Sequence, residues 1–309
     1  MTHWKLILAY DGTPFHGWQV QPGLSTIQGM LADAIHRTVG ERVLPQGSGR
    51  TDAGVHALGQ VASFSLAAAI PADNLLRALN RCLPPSIRIL SAENVAPDFH
   101  ARHSALRKTY EYRIFSLRAE AILDAGGPHP FRSDRDGWDV NPPTASDRIC
   151  PPTLAPFVWP CPWPLDLAAL NQAARHVLGA HDFTSFAATD PDLTTRAAQA
   201  GLLDEPTKLT PIRTISCSCW HAQDDLFIYR VTANGFLHHM VRNLVGTFVQ
   251  AGAHRLDPDS IPGLLAARNR SATGPTAPPT GLFLVNVEYP PLSDDPTIST
   301  AAEPLTTEN

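Results

Sequence analysis

The chain has 309 residues, enough for two ordinary domains or one large one with a sizeable core. Hydrophobic residues make up 43% and charged residues 17%, a globular balance that excludes a disordered or fibrous chain, and no apolar run approaches the ~20 residues of a membrane helix. The net charge of −5 divides into +4 over residues 1–118, −6 over 119–211, +1 over 212–290 and −4 over 291–309, so the sum neither excludes nor supports an RNA partner, which depends on local Lys/Arg placement.

In chain order, residues 5–10 (KLILAY) form a predicted strand, ended by the turn signal Asp11-Gly12-Thr13-Pro14. Ser25 or Thr26 caps a helix running to Val39, with Ile27, Met30, Leu31, Ala34 and Ile35 on one stripe. A strand over 61–66, a helix over 72–82 stopped by Pro84-Pro85 and a strand over 87–95 follow, with room for one more strand near 42–46. That order suits a split βαβ unit on an antiparallel sheet. A second series repeats it: a strand over 108–117, an amphipathic helix over 165–178, paired strands over 211–221 and 226–233 turning at Asp224-Asp225, a helix over 238–251 and a last strand over 282–289. The two halves share an order of elements without a sequence repeat. The expected fold is therefore α+β, two similar ferredoxin-like halves on a mixed, mainly antiparallel sheet.

Two stretches break this plan. Residues 119–164 hold ten prolines and little periodicity, and 187–210 are polar; connections beyond ~12–15 residues without structure are functional lids or surface insertions as a rule, and mobile insertions are expected. Residues 291–309 read as a disordered acidic tail. Five cysteines are too few and odd in number for a disulfide framework, and the Cys217/Cys219 pair, sharing one strand face, is put down to ordinary packing. His238-His239 and His100/His103 suggest a metal, but adjacent histidines on a helix point apart and no third ligand stands at useful spacing, so none is expected. The opening MTHWKLILAYDG has no basic leader or cleavage site, and a cytoplasmic protein is expected.

The most informative stretch is GSGRTDAGVHALGQVASF, residues 47–64. Glycines at 47, 49 and 54 crowd around Arg50-Thr51-Asp52, so the backbone can turn tightly and present Asp52 at a strand edge. A surface turn reads the same way, because Asp and Gly are ordinary turn formers. The stretch closely resembles the signature of the tRNA pseudouridine synthase A family. The resemblance continues, in order, through YDGTPFHGWQVQPGLSTIQG (10–29), PDFHARHSALRKTYEY (97–112), DFTSF (182–186), IRTI (212–215), NGFLHHMVRNLVGT (234–247) and APPTGLFLVNVEY (277–289).

The resemblance implies the pseudouridine synthase fold, with a cleft between an N-terminal α/β domain (1–106) carrying the Asp turn and a C-terminal one (107–290) carrying both insertions. It implies an isomerase converting uridines at positions 38–40 of the tRNA anticodon stem-loop, working as a homodimer without cofactor or metal. Asp52 matches the family's catalytic aspartate, Arg242 the arginine that pairs with it, Tyr110 the tyrosine packed against the target base, and Leu282 the apolar residue closing the other side. The chemistry asks for such a carboxylate independently: exchanging an N–C for a C–C glycosidic bond needs an ionised acid beside C1′ and C2′ of the ribose, as nucleophile, base or charge stabiliser. A guanidinium beside it lowers its pKa by ~1–3 units. Arg50 is assigned to RNA handling, since a stacked uridine must be extruded first, and Arg102, Arg107 and Lys108 are candidate phosphate contacts. Two other readings stand beside this one. A catalytically silent tRNA-binding or tRNA-folding protein on the same scaffold would lack Asp52, Arg242 or Tyr110, which are all present. A glycosidase would want a second acid at a matched motif, and none is found.

Overall fold

A computed structural model describes residues 1–117, 148–189 and 210–291. Most of both expected insertions, and the tail beyond Pro291, lie outside the described residues.

The first half runs β1 (Thr2–Tyr10), α1 (Ile27–Val39), β2 (Gln46–Gly47), β3 (His56–Leu66), α2 (Ala72–Cys82) and β4 (Ile87–Val95). Strict alternation along β1 sends Trp4, Leu6, Leu8 and Tyr10 into the core. The Thr26 hydroxyl caps α1 by accepting from the Gly29 N–H at 3.3 Å, and Gly40 closes it in the left-handed conformation. β1 pairs antiparallel with β3 and β4, and β2 with β3, so the spatial order is β4-β1-β3-β2.

The second half runs β5 (Arg107–Ser116), β6 (Trp159–Cys161), α3 (Leu167–Arg175), β7 (Gly179–Asp182), β8 (Ile212–Gln223), β9 (Leu226–Ala233), α4 (Met240–Gly252), α5 (Ile261–Ala267) and β10 (Leu282–Glu288). Its order, β10-β5-β9-β8, repeats that of the first half, with β7 added outside β8 and the short β6 lying parallel to the end of β5. The α+β architecture of two split βαβ halves on a mixed, mainly antiparallel sheet is as expected.

The halves join where β3 meets β10. His56 and Ala57 pair in parallel with Phe283 and Leu284, while Ala62 and Ser63 of the same strand pair with β2. The approach needs Gly59, where a Cβ would stand 2.4 Å from the Val285 carbonyl oxygen. One buried cluster extends from Trp4 and Leu6 through Tyr110 and Tyr112 to Phe248. The segment 48–55, between β2 and β3, therefore leaves the sheet at the seam between the halves.

Four expectations are corrected. β3 begins at His56 rather than 61, because residues 56–60 are buried on nearly every position and show no alternation. The helix expected from residue 238 begins at Met240, since His239 has φ 58°. The end of the expected mobile insertion, from Arg148, is built onto β5: a turn at Ala155–Phe157 leads into β6, which a sequence of Trp-Pro-Cys is too short to announce. Ordinary core packing does not account for Cys217 and Cys219, because Ser218 and Trp220 point inward and the two thiols, 3.8 Å apart, lie on the more exposed face.

Candidate active site

Asp52 sits in the 48–55 segment, which is held from several sides. The Thr51 carbonyl accepts from the Trp18 N–H at 3.0 Å, and its hydroxyl bonds the Tyr10 hydroxyl at 2.8 Å. Gln60, fully buried on β3, bonds the Ser48 hydroxyl at 2.7 Å and donates to the Gly49 carbonyl at 3.0 Å. Gly54, at φ 78°, makes the turn back into β3 that an L side chain would strain, and Val55 N–H closes it on the Asp52 carbonyl at 3.1 Å. His56, 1% exposed, accepts from the Gly12 N–H at 3.1 Å and stacks on Phe283 across the seam. The loop is thus pinned to β1, β3 and β10 before any side chain of the site is considered.

Arg242 reaches Asp52 from the first turn of α4. Its Nη1 donates to Oδ2 at 2.9 Å and its Nε to the Ala277 carbonyl at 2.7 Å, while the Ala277 N–H returns a bond to the Arg242 carbonyl. The guanidinium is clamped to the backbone on one side and presents a fixed donor on the other. The two histidines before α4 face the same carboxylate, His239 Nε2 at 3.2 Å from Oδ2 and His238 Nε2 at 3.6 Å from Oδ1. Burial pushes the Asp52 carboxyl up, but the hydrogen bond and charge of His239 and then those of Arg242 outweigh it, so its pKa is lowered and it is ionised at neutral pH.

A cavity of about 560 Å³ opens over this carboxylate. Asp52, Arg50, Arg102, Lys108, Tyr110, Arg242 and Leu282 all line it, so the structure brings together seven of the eight residues singled out in the sequence. Arg107 is the exception: it pairs with Glu288 at 3.0 Å and does not line the cavity, because on β5 its side chain points opposite to its neighbour Lys108. Tyr110 is 8% exposed and meets Phe236 edge-on at 5.0 Å, and burial drives its phenol far above the ordinary value, so it is a neutral aromatic wall. Lys108 is no solvated charge. Its Nζ donates to the Ser48 carbonyl at 2.5 Å, and burial, followed by Arg102 and Arg213, lowers its pKa to about 8.

The reasoning against a third ligand for His238-His239 is overturned. Asp52, remote in sequence, completes a trio whose donor atoms lie within 4.8 Å of one another. The histidines precede the helix, so they do not splay: their rings stack at 3.9 Å and 30°. The Arg242 cation already occupies Oδ2, so the two imidazoles suit holding the carboxylate better than completing a metal site. The HH of the matched segment was the available signal for these two residues. It was obscured by extending the helix two residues too far.

Comparison with known proteins places this site in a family context. The family model described as tRNA pseudouridine synthase matches residues 6–104 and 173–290. The chain is 44% identical to a tRNA pseudouridine synthase A of Solibacter usitatus over 286 residues, covering 92% of this chain and 98% of that protein. It is 42% identical over 291 residues to one of Moorella thermoacetica (92% and 98% covered). A third, from Rhodopseudomonas palustris strain HaA2, is 39% identical over 290 residues (94% and 100%).

Proposed function

The chain belongs to the tRNA pseudouridine synthase family, and from that premise we propose that it is the isomerase that converts uridines at positions 38–40 of the tRNA anticodon arm to pseudouridine, with Asp52 as its catalytic carboxylate. The reaction breaks N1–C1′ and forms C5–C1′ within one nucleotide; C5 gives up a proton and N1 gains one, with no net change in oxidation state. An ionised carboxylate beside C1′ and C2′ serves it either by attacking C1′ or by taking the C2′ proton and returning it. The observation that carries the reading is Asp52 held ionised by Arg242 in the wall of a nucleotide-sized cavity that Tyr110 also lines. A base stacked on such a ring gains about 1–3 kcal/mol. In this reading Leu282 closes the opposite side, and Arg50, beside the catalytic turn, holds the backbone of the extruded nucleotide.

Pseudouridine mapping in tRNA from cells lacking this protein tests it. Modification at positions 38–40 is expected to disappear and to return with the wild-type gene but not with Asp52→Ala; its persistence in the deletion strain would end the proposal. The reading includes a homodimer in the cytoplasm, expected to sediment at about twice the 33.4 kDa of the chain. No helix among the described residues is long and apolar enough to cross a membrane. Residues 1–106 and 107–290 are proposed as the two units whose seam forms the cleft.

Lys108 and Arg102 are proposed phosphate contacts. The Lys108 ammonium donates to the Ser48 carbonyl and stands near the cationic Arg102 and Arg213, so a phosphodiester would stabilise it. Sign and window follow from the lowered pKa: the amine is charged below about 8 and loses its proton above it. Affinity for tRNA at fixed salt is expected to fall between pH 7 and pH 8.5 in the wild type and to stay flat in Lys108→Met. The salt slope of that variant should be smaller by about one. Parallel pH dependence in the two proteins would remove Lys108 from the RNA path.

A further inference from the structure

We propose that His239 is a positioning residue for Asp52, holding the Oδ2 oxygen through Nε2 so that the carboxylate keeps one orientation toward the ribose. The proposal rests on the reading of Asp52 given above. Three independent features of residue 239 point to it.

The first is aim. His239 Nε2 and Arg242 Nη1 lie 3.2 and 2.9 Å from the same oxygen, Oδ2, and approach it from the turn before α4 and from its first turn. His238 Nε2 stands farther off, 3.6 Å from Oδ1. Two nitrogens converging on one oxygen fix the rotation of the carboxylate. The second is backbone. His239 has φ 58° and ψ 5°, the left-handed region that L side chains occupy at a cost. It stands at the N-cap of α4, where Ser, Thr, Asp, Asn or Gly is preferred, yet its side chain makes no cap hydrogen bond. Neither capping nor backbone preference explains a histidine there. The third is support. The ring stacks on that of His238 at 3.9 Å, and His238 is tethered through Nδ1 to the Thr189 carbonyl at 3.2 Å, so the imidazole is held where it points. The titratable and charged groups that share the cavity wall with Asp52 include Arg242 from α4, His238 and His239 from the preceding turn, Arg50 from its own turn, Arg102, and Lys108 and neutral Tyr110 from β5.

Capping and strain make glycine the residue a purely structural role would choose at 239, and this separates structure from function. His239→Gly is expected to melt no lower than the wild type and to bind tRNA with Kd within about twofold. Its single-turnover rate of pseudouridine formation should fall about 10–100-fold, the range for losing one hydrogen bond to a charged group. The 13Cγ resonance of Asp52, assigned through Asp52→Asn, should titrate at higher pH in that variant, because the imidazole that helps hold its pKa down has gone. His239→Gln, which places an N–H near the reach of Nε2, should restore part of the rate and part of the low midpoint. If His239→Gly melts lower, the glutamine variant decides: folded but without recovery, it overturns the proposal. A glycine variant with the wild-type rate, or an unmoved Asp52 midpoint, overturns it as well. Asp52→Asn in the same assay keeps the two readings apart. Inactive Asp52→Asn with fully active His239→Gly removes only His239, whereas active Asp52→Asn removes the premise.

Discussion

Asp52→Asn is expected to fold, to bind tRNA and to form pseudouridine at least ~10²–10⁴-fold more slowly than the wild type, the range for losing one group that moves a proton or attacks in the transition state. Asparagine keeps an acceptor for Arg242 Nη1 and nearly the same shape, so the loop pinned by Thr51, Gln60 and Val55 has no reason to move. What disappears is the negative charge. The Asp52 pKa is lowered in the folded protein, so its contribution to stability is complete above the unfolded carboxyl value of 3.8 and is lost as pH falls through the depressed folded one. The variant should therefore lose stability less steeply below pH 4, while at pH 7 it lacks the ion pair with Arg242. Quenched-flow measurement of pseudouridine formation with enzyme in excess over tRNA separates the chemical step from binding. A wild-type rate constant in that experiment would mean that another group does the chemistry.

The elements easiest to find in the sequence were those with one wet and one buried face. β1, α1, α2 and β8 each show a period that matches how they sit, and their ends carry Thr26, Gly40 and the Asp224-Asp225 turn where the chain must stop or reverse. Elements buried on both sides, or too short to show a period, were harder. The start of β3 has lost its alternation because β10 and the 48–55 segment cover it. β6 and α5, of three and seven residues, offer little to count.

The site shows the same division. Asp52, Arg242 and Tyr110 were named from the resemblance, since neither a glycine-rich turn nor an arginine on a helix declares its role by spacing alone. Contacts across 190 positions of sequence, as between Arg242 and Asp52, follow from topology: the parallel pairing of β3 with β10 sets the Asp52 turn opposite the N-terminus of α4. Local rules also misplaced particular residues. A helical reading of 238–239 sent the histidines apart, whereas one left-handed residue stacks them beside the carboxylate. Alternation along β5 separates Arg107 from Lys108, although both stand among the candidate phosphate contacts.

Arg242 gives the second large effect. Its side chain, 13% exposed, joins three parts of the site: α4, the Ala277 backbone and the Asp52 carboxylate. Arg242→Met keeps the apolar stem against its helix neighbours but leaves the Ala277 carbonyl without its side-chain donor and Asp52 without its fixed cation. A buried polar group deprived of its partner costs about 1–3 kcal/mol, and the partly exposed Asp52 adds less. With that cation gone, burial acts on the carboxyl with His239 opposing it, so the pKa rises from its depressed value. Loss of fixed orientation should then lower kcat about 10²-fold or more, since positioning contributes on that scale, and the acidic limb of the pH–rate profile should shift upward. Arg242→Lys separates the two contributions: it keeps a positive charge, yet one ammonium on a flexible stem cannot hold both Ala277 and Asp52 as the planar fork does. It should recover most of the lost pH behaviour and little of the rate. The measurement is kcat against pH for all three proteins, with denaturant unfolding at pH 7. If Arg242→Met turned over at the wild-type rate with an unchanged acidic limb, the guanidinium would be a structural strut between α4 and Ala277, and Asp52 would owe its ionisation to His239.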